Sequence, residues 1–134
     1  TIFMEDNKKY TLLLVDDDKF LLDMYSMKFK NLGHEPTTAV GANNALDILR
    51  GGMNPQVILL DIIMPAMDGL ELLEIIRKEN LAPNAIIVML TNEIEQAKID
   101  KAKSLGVKGY IVKATTIPSE VVSEVMSIVK NNHS

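Results

Sequence analysis

Four short apolar runs in this chain each end in a residue that can handle a phosphate or a metal ion. Leu12-Leu13-Leu14-Val15 leads into Asp16-Asp17-Asp18, and Val57-Ile58-Leu59-Leu60 ends at Asp61. Ile86-Ile87-Val88-Met89-Leu90 ends at Thr91, and Tyr110-Ile111-Val112 ends at Lys113. Runs this short, rich in Val, Ile and Leu and without alternation, read as strands buried on both faces. In an open parallel sheet the carboxyl ends of such strands form the ligand crevice. The pattern therefore gathers several carboxylates, a hydroxyl and an ammonium at one edge of a sheet.

Helical patterns fill the gaps between these runs. Leu22, Tyr25, Phe29 and Leu32 recur at helical spacing, with Gly33 as a C-terminal cap. Ala42, Ala45, Leu46 and Leu49 repeat the pattern until Gly51-Gly52 stops it. A third helix starts near Asp68-Gly69, with Leu72, Leu73 and Ile76 inward. A fourth, over about Glu93 to Leu105, is weakly amphipathic, with Ile99, Ala102 and Leu105 as its main apolar positions. The last begins near Pro118 and carries Val121, Val122, Val125, Met126, Ile128 and Val129. Its apolar arc spans roughly 160°, wider than the ~100° a core-facing stripe requires, and the excess reads either as tight packing alone or as a face for a second copy or an output domain. A further strand around Glu35 to Ala39 contains Pro36, which cannot donate to a ladder and so marks an edge. Strands and helices alternate throughout. The expected fold is a doubly wound α/β domain: a five-stranded parallel sheet of flavodoxin-like order 2-1-3-4-5 with helices on both faces.

The 134 residues fit one domain over 1–134, with a core at about 10–130. A net charge of -4 argues against direct nucleic-acid binding, which uses clustered Lys and Arg. The absence of Cys rules out disulfides, thiolate zinc sites and a Cys nucleophile. No apolar run approaches the ~18 residues of a membrane span. Thr1 to Tyr10 lacks the apolar core of a signal peptide, so the expected setting is cytoplasmic, without a membrane partner. His34 and His133 are expected to face solvent and take no catalytic or metal role.

In the 2-1-3-4-5 order, Asp16, Asp17 and Asp61 fall at the ends of neighbouring strands. Carboxylates ~4 Å apart repel by roughly 4 kcal/mol at an effective dielectric near 20. A hard divalent cation offsets such repulsion, and Mg²⁺ takes oxygen ligands from carboxylates, waters and phosphates. Lys113 adds a positive charge opposite the acids and Thr91 a hydroxyl donor. Such a set can hold a phosphoryl group on a carboxylate, with the central Asp61 as nucleophile. Asp18 reads instead as the cap of the first helix.

Read together, Leu13 to Asp18, Leu60 to Gly69 (Leu-Asp-Ile-Ile-Met-Pro-Ala-Met-Asp-Gly), Leu90-Thr91 and Gly109 to Lys113 resemble the receiver domain of two-component response regulators, the CheY-like family. The resemblance implies a phosphorylation-controlled signalling switch. Asp61 would be the phosphoacceptor, with Asp16, Asp17, Asp61 and the backbone carbonyl of Ile63 around Mg²⁺. Lys113 would contact a phosphoryl oxygen, while Thr91 and Tyr110 would form the switch pair. The donor would be a phosphohistidine on a histidine kinase or histidine phosphotransfer protein, and the response a change in the face made by the fourth helix, fifth strand and fifth helix. The chain would catalyse only its own phosphotransfer and autodephosphorylation.

Two positions depart from the family pattern. Ala114 stands where proline usually follows the lysine, and Asn92 stands where a small residue is common after the threonine. In the family that proline usually brings a cis bond. A non-proline cis bond costs about 2.5–4 kcal/mol, so a trans Lys113-Ala114 bond and a rerouted Ala114-Thr115-Thr116 loop are expected. Asn92, Ile63 and Glu93 are placed to affect dephosphorylation.

Other classes fit less well. A haloacid-dehalogenase-type phosphohydrolase expects Asp-x-Asp-x-Thr/Val, and Asp16-Asp17-Asp18-Lys19-Phe20 lacks the final residue. A pseudo-receiver acting only as a scaffold would not need the full acidic set or Lys113, while Ala114 keeps that reading open. In a flavodoxin the Asp16-Asp17 pair would repel the flavin phosphate.

Overall fold

The computed structural model describes residues 8–132. The elements alternate along the chain: β1 (Thr11–Asp16), α1 (Lys19–Asn31), β2 (Glu35–Val40), α2 (Ala42–Arg50), β3 (Val57–Leu60) and α3 (Gly69–Lys78). Then follow β4 (Ile86–Thr91), α4 (Gln96–Ser104), β5 (Gly109–Val112), a 3-10 turn (Lys113–Thr115) and α5 (Pro118–Asn131). The five strands form one sheet of order β2-β1-β3-β4-β5, and every pair is parallel. This is the doubly wound arrangement expected from the sequence.

Strand periodicity divides the core in two, because successive side chains point to opposite faces. Leu13, Val15, Ile58, Leu60, Ile87 and Met89 meet α2, α3 and Ala102 of α4 on one face. Leu12, Leu14, Val57, Leu59, Val88 and Leu90 meet α1 and α5 on the other. All four residues of β3 are buried, as the unbroken apolar run requires. Pro36 lies opposite Leu12 on the edge strand β2, where its missing N–H leaves no ladder bond unmade within the sheet.

Two helix starts are written locally. The Asp18 side chain accepts from the Leu21 N–H at 3.2 Å. Asp68 and Glu71 form a reciprocal capping box at the head of α3, with Glu71 N–H to Asp68 Oδ1 at 2.9 Å and Asp68 N–H to Glu71 Oε1 at 3.3 Å.

Four expectations change. Leu32 is the C-terminal cap of α1 rather than an inward position, and it is 59% exposed. Helix α4 starts at Gln96, not Glu93, because Glu93 folds back to serve the preceding loop. The wide apolar arc of α5 faces inward: Val121, Val122, Val125, Met126 and Val129 are buried, and Ile128 packs on the same core. Helix α5 packs against both α1 and β5, and a helix held on more than one side needs a wider stripe, so the width alone marks no docking face. His34 is half-buried rather than solvent-facing. Its Nδ1 accepts from the Tyr10 N–H at 3.2 Å, its ring lies against Tyr10 and Phe29, and burial pulls its pKa down. His133 lies outside the described residues.

Candidate functional site

The register of β1 and β3 pairs Val15 with Leu60, so Asp16 and Asp61 emerge side by side at the carboxyl edge. Both are buried, at 3% exposure each. Each carboxylate is oriented by a local turn. Asp16 Oδ1 accepts from the Asp18 N–H at 3.0 Å, and Asp61 Oδ1 accepts from the Ile63 N–H at 3.1 Å. The other oxygens converge on one ammonium. Lys113 Nζ donates to Asp16 Oδ2 at 2.8 Å and to Asp61 Oδ2 at 3.0 Å.

A backbone contact sets this corner. The Gly69 N–H donates to the Ile62 carbonyl at 2.8 Å, which brings the start of α3 against the end of β3. A Cβ on Gly69 would run into the Asp61 carbonyl and the Ile62 Cα. The glycine of the Asp68-Gly69 pair is thus the residue that lets α3 approach Asp61.

Asp17 joins the two buried acids from an exposed position. Carboxylate oxygens of Asp16, Asp17 and Asp61 lie within 4.8 Å of one another. Desolvation raises the Asp17 pKa, and the neighbouring carboxylates of Asp16 and Asp61 add to the rise. For Lys113, burial pulls downward, but the hydrogen bonds to Asp16 and Asp61 outweigh it and hold its pKa above the ordinary lysine value. A group of oxygen donors at this spacing, with one member open to solvent, fits a hard divalent cation.

The next two strands bring the hydroxyl groups. Thr91 ends β4 fully buried, and its Oγ1 accepts from the Glu93 N–H at 3.2 Å. Tyr110, half-buried on β5, donates its O–H to the Glu93 carbonyl at 2.7 Å. Burial, helped by the charges of Glu93 and Asp61, pushes the Tyr110 phenol up to about 12. Thr91 and Tyr110 therefore hold the same residue from its two backbone ends. The Glu93 carboxylate in turn accepts from Lys98 Nζ at 3.0 Å and from the Glu95 N–H at 3.2 Å.

The structure brings together Asp16, Asp17, Asp61, Lys113 and the backbone of Ile63, and it places Thr91 and Tyr110 around Glu93 beside them. No peptide bond among the described residues is cis, so the Lys113-Ala114 bond is trans as expected. Residues Lys113–Thr115 form a 3-10 turn directly after β5.

Three features were not foreseen. Tyr25 of α1 lines an open cleft of about 430 Å³ with Asp16, Asp17, Asn92 and Lys113. Burial raises its phenol pKa, against the charge of Lys113. Helical spacing marked Tyr25 only as an inward position. The bridging role of Glu93 has no sequence signal. Nor does the bond from the Ala114 N–H to Asn92 Oδ1, at 2.7 Å, which joins the two positions that depart from the family pattern.

A doubly wound five-stranded parallel sheet with an acid cluster closed by lysine at its carboxyl edge defines a CheY-like, flavodoxin-type fold. Among solved structures, the chemotaxis protein CheY4 of Vibrio cholerae superposes with a TM-score of 0.80 and 27% identity, over 90% of this chain and 99% of that one. A CheY-like receiver domain protein from Methanospirillum hungatei gives a TM-score of 0.82 and 25% identity, over 92% and 96% of the two chains. The DNA-binding response regulator MtrA of Mycobacterium tuberculosis is 28% identical over 127 residues, covering 95% of this chain and 54% of that protein. This chain thus spans about half the length of the curated relatives it matches. Residues 12–125 match the response regulator receiver domain, and the chain belongs to that family.

Proposed function

We propose that this receiver domain is a phosphorylation-controlled switch whose phosphoacceptor is Asp61. The observation that carries the reading is the double contact of Lys113 with Asp16 and Asp61, beside a third carboxylate within 4.8 Å. A carboxylate oxygen of Asp61 would form the bond to phosphorus as the P–N bond of a phosphohistidine breaks and its imidazole leaves. The donor would be a histidine kinase or a histidine phosphotransfer protein. Lys113, already within hydrogen-bond reach of Asp61, would contact a phosphoryl oxygen and stabilise charge that develops there. Asp16, Asp17, Asp61 and the Ile63 carbonyl would hold Mg²⁺, which when bound neutralises negative charge on the phosphoryl oxygens.

Thr91 accepts from Glu93, and its own hydroxyl hydrogen would be donated to the phosphoryl group. Moving that hydroxyl would displace the Glu93 peptide that Tyr110 also holds. The change would be read on α4, β5 and α5, provided the phosphoryl group interacts differently with the two states. Turnover would be limited to the domain's own phosphotransfer and autodephosphorylation, with Asn92, Ile63 and Glu93 at the mouth setting access of water. No helix among the described residues is long and apolar enough to cross a membrane, and we propose a cytoplasmic setting. We assign these residues no direct contact with nucleic acid.

Intact-mass measurement after incubation with acetyl phosphate and Mg²⁺ tests the proposal. The chain should gain one phosphoryl group, and excess chelator or Asp61→Asn should abolish the gain. Equal labelling in chelator would remove the metal role, and equal labelling of Asp61→Asn would remove the phosphoacceptor.

A further inference from the structure

We propose that Asn92 is a positioning residue for Lys113, acting through the backbone of Ala114. The inference rests on the receiver reading above and adds a residue to its machinery. Lys113 must present its ammonium between two buried acids, yet it sits at the first position of a 3-10 turn, where backbone N–H groups lack partners within the turn. The residue before it, Val112, offers no side-chain cap. Asn92 supplies the missing acceptor from a loop 22 residues away.

Bond lengths identify Asn92 as the closest clamp on this turn. The Asn92 Oδ1 contact with the Ala114 N–H is 2.7 Å. The turn's own bonds are longer: Thr116 N–H to the Lys113 carbonyl at 3.3 Å, and Thr115 Oγ1 to the Val112 carbonyl at 3.3 Å. Fixing the Ala114 N–H fixes the peptide plane that Lys113 shares with it, and hence the direction in which the lysine stem leaves the backbone. A small displacement at that point is enlarged along the stem before it reaches Asp61. Proline at 114 could not make this bond, because it has no N–H. Asn92 also directly follows Thr91, so one segment carries both the site hydroxyl and the clamp on the site lysine.

This role is distinct from shielding the phosphoryl group from water. A shield needs only bulk and alters loss of the phosphoryl group. A positioning residue needs the acceptor oxygen and alters its arrival, and it acts only while Lys113 is present. Asn92→Leu keeps the branching and heavy-atom count of the side chain, gives at least as much bulk, and removes the acceptor. With acetyl phosphate and Mg²⁺, Asn92→Leu should label roughly fivefold more slowly than wild type, the factor one hydrogen bond can contribute to a barrier. Added to Lys113→Met it should slow labelling no further, since coupled residues are not additive. In a ¹⁵N-labelled sample, Asn92→Leu should move the Ala114 amide proton upfield and speed its exchange. This readout is independent of labelling, and the exposed position lets the variant fold.

Wild-type labelling with Asn92→Leu at the same rate would overturn the positioning role and leave the receiver reading standing. So would a further slowing of Lys113→Met by Asn92→Leu, or an unchanged Ala114 amide. A wild-type chain that takes no phosphoryl group would overturn the receiver reading, and the positioning role with it.

Discussion

Replacing Lys113 with Met should destabilise the metal-free domain at neutral pH. The ammonium lies 2.8 Å from Asp16 Oδ2 and 3.0 Å from Asp61 Oδ2, and both acids are 3% exposed. Removing it leaves two buried carboxylates whose nearest cationic partner is gone. At an effective dielectric of 20, charges with oxygens up to 4.8 Å apart repel by roughly 3.5 kcal/mol. Deleting one partner of a buried pair generally costs about 3–5 kcal/mol. Both estimates put the loss at about 3–4 kcal/mol, a large share of the ~5–15 kcal/mol that holds a domain folded. Urea unfolding in chelator at pH 7 measures it directly. Lys113→Met/Asp61→Asn should be clearly more stable than Lys113→Met, because the repulsion has been removed, and Mg²⁺ should also restore part of the loss. If Lys113→Met unfolded at the wild-type urea concentration, or the second substitution restored nothing, the electrostatic account of the site would be wrong.

The raised pKa of Lys113 has a signed consequence. Its stabilisation is fully present below the unfolded lysine value of about 10.4 and is lost as pH rises through the folded value, so the stability gap between wild type and Lys113→Met should close in strong alkali. Asp17 behaves in the opposite sense from a salt-bridged acid: its raised pKa means that ionisation disfavours the fold, so Asp17→Asn should raise the melting temperature of the metal-free chain while weakening Mg²⁺ binding in calorimetry. Gly69→Ala should cost about 1–3 kcal/mol by forcing α3 away from the Asp61 carbonyl, measurable as a lower urea midpoint. With beryllofluoride as phosphoryl mimic, hydrogen exchange should change around Glu93, α4 and β5, and Tyr110→Phe should reduce that change; protection altered only on α1 and α2 would contradict the proposed route.

The strands were legible because each apolar run is short, unbroken and bounded by a polar residue. The same boundaries placed Asp16, Asp61, Thr91 and Lys113, since a residue that ends a strand in an open parallel sheet has little choice of edge. Helix limits were less legible. Spacing carried Leu32 into the pattern of α1, although the helix had already ended and left the side chain in solvent. Nothing in the sequence separates a Glu that starts α4 from a Glu93 that turns back to Lys98 and the Glu95 N–H. The apolar arc of α5 was read correctly as wide, but its cause, packing between α1 and β5, is a tertiary fact. Within the site, Asn92 and Ala114 each looked like an isolated departure. Their hydrogen bond depends on how closely the loops after β4 and β5 approach, which no local pattern encodes.

The central claim is that Asp61 carries the phosphoryl group as an acyl phosphate. Borohydride reduces an aspartyl phosphate to homoserine and leaves free carboxylates unchanged. After labelling with acetyl phosphate and Mg²⁺, reduction and peptide sequencing by mass spectrometry should find homoserine at position 61 alone. Homoserine at position 16 or 17, or a labelled chain with none at all, would contradict the assignment.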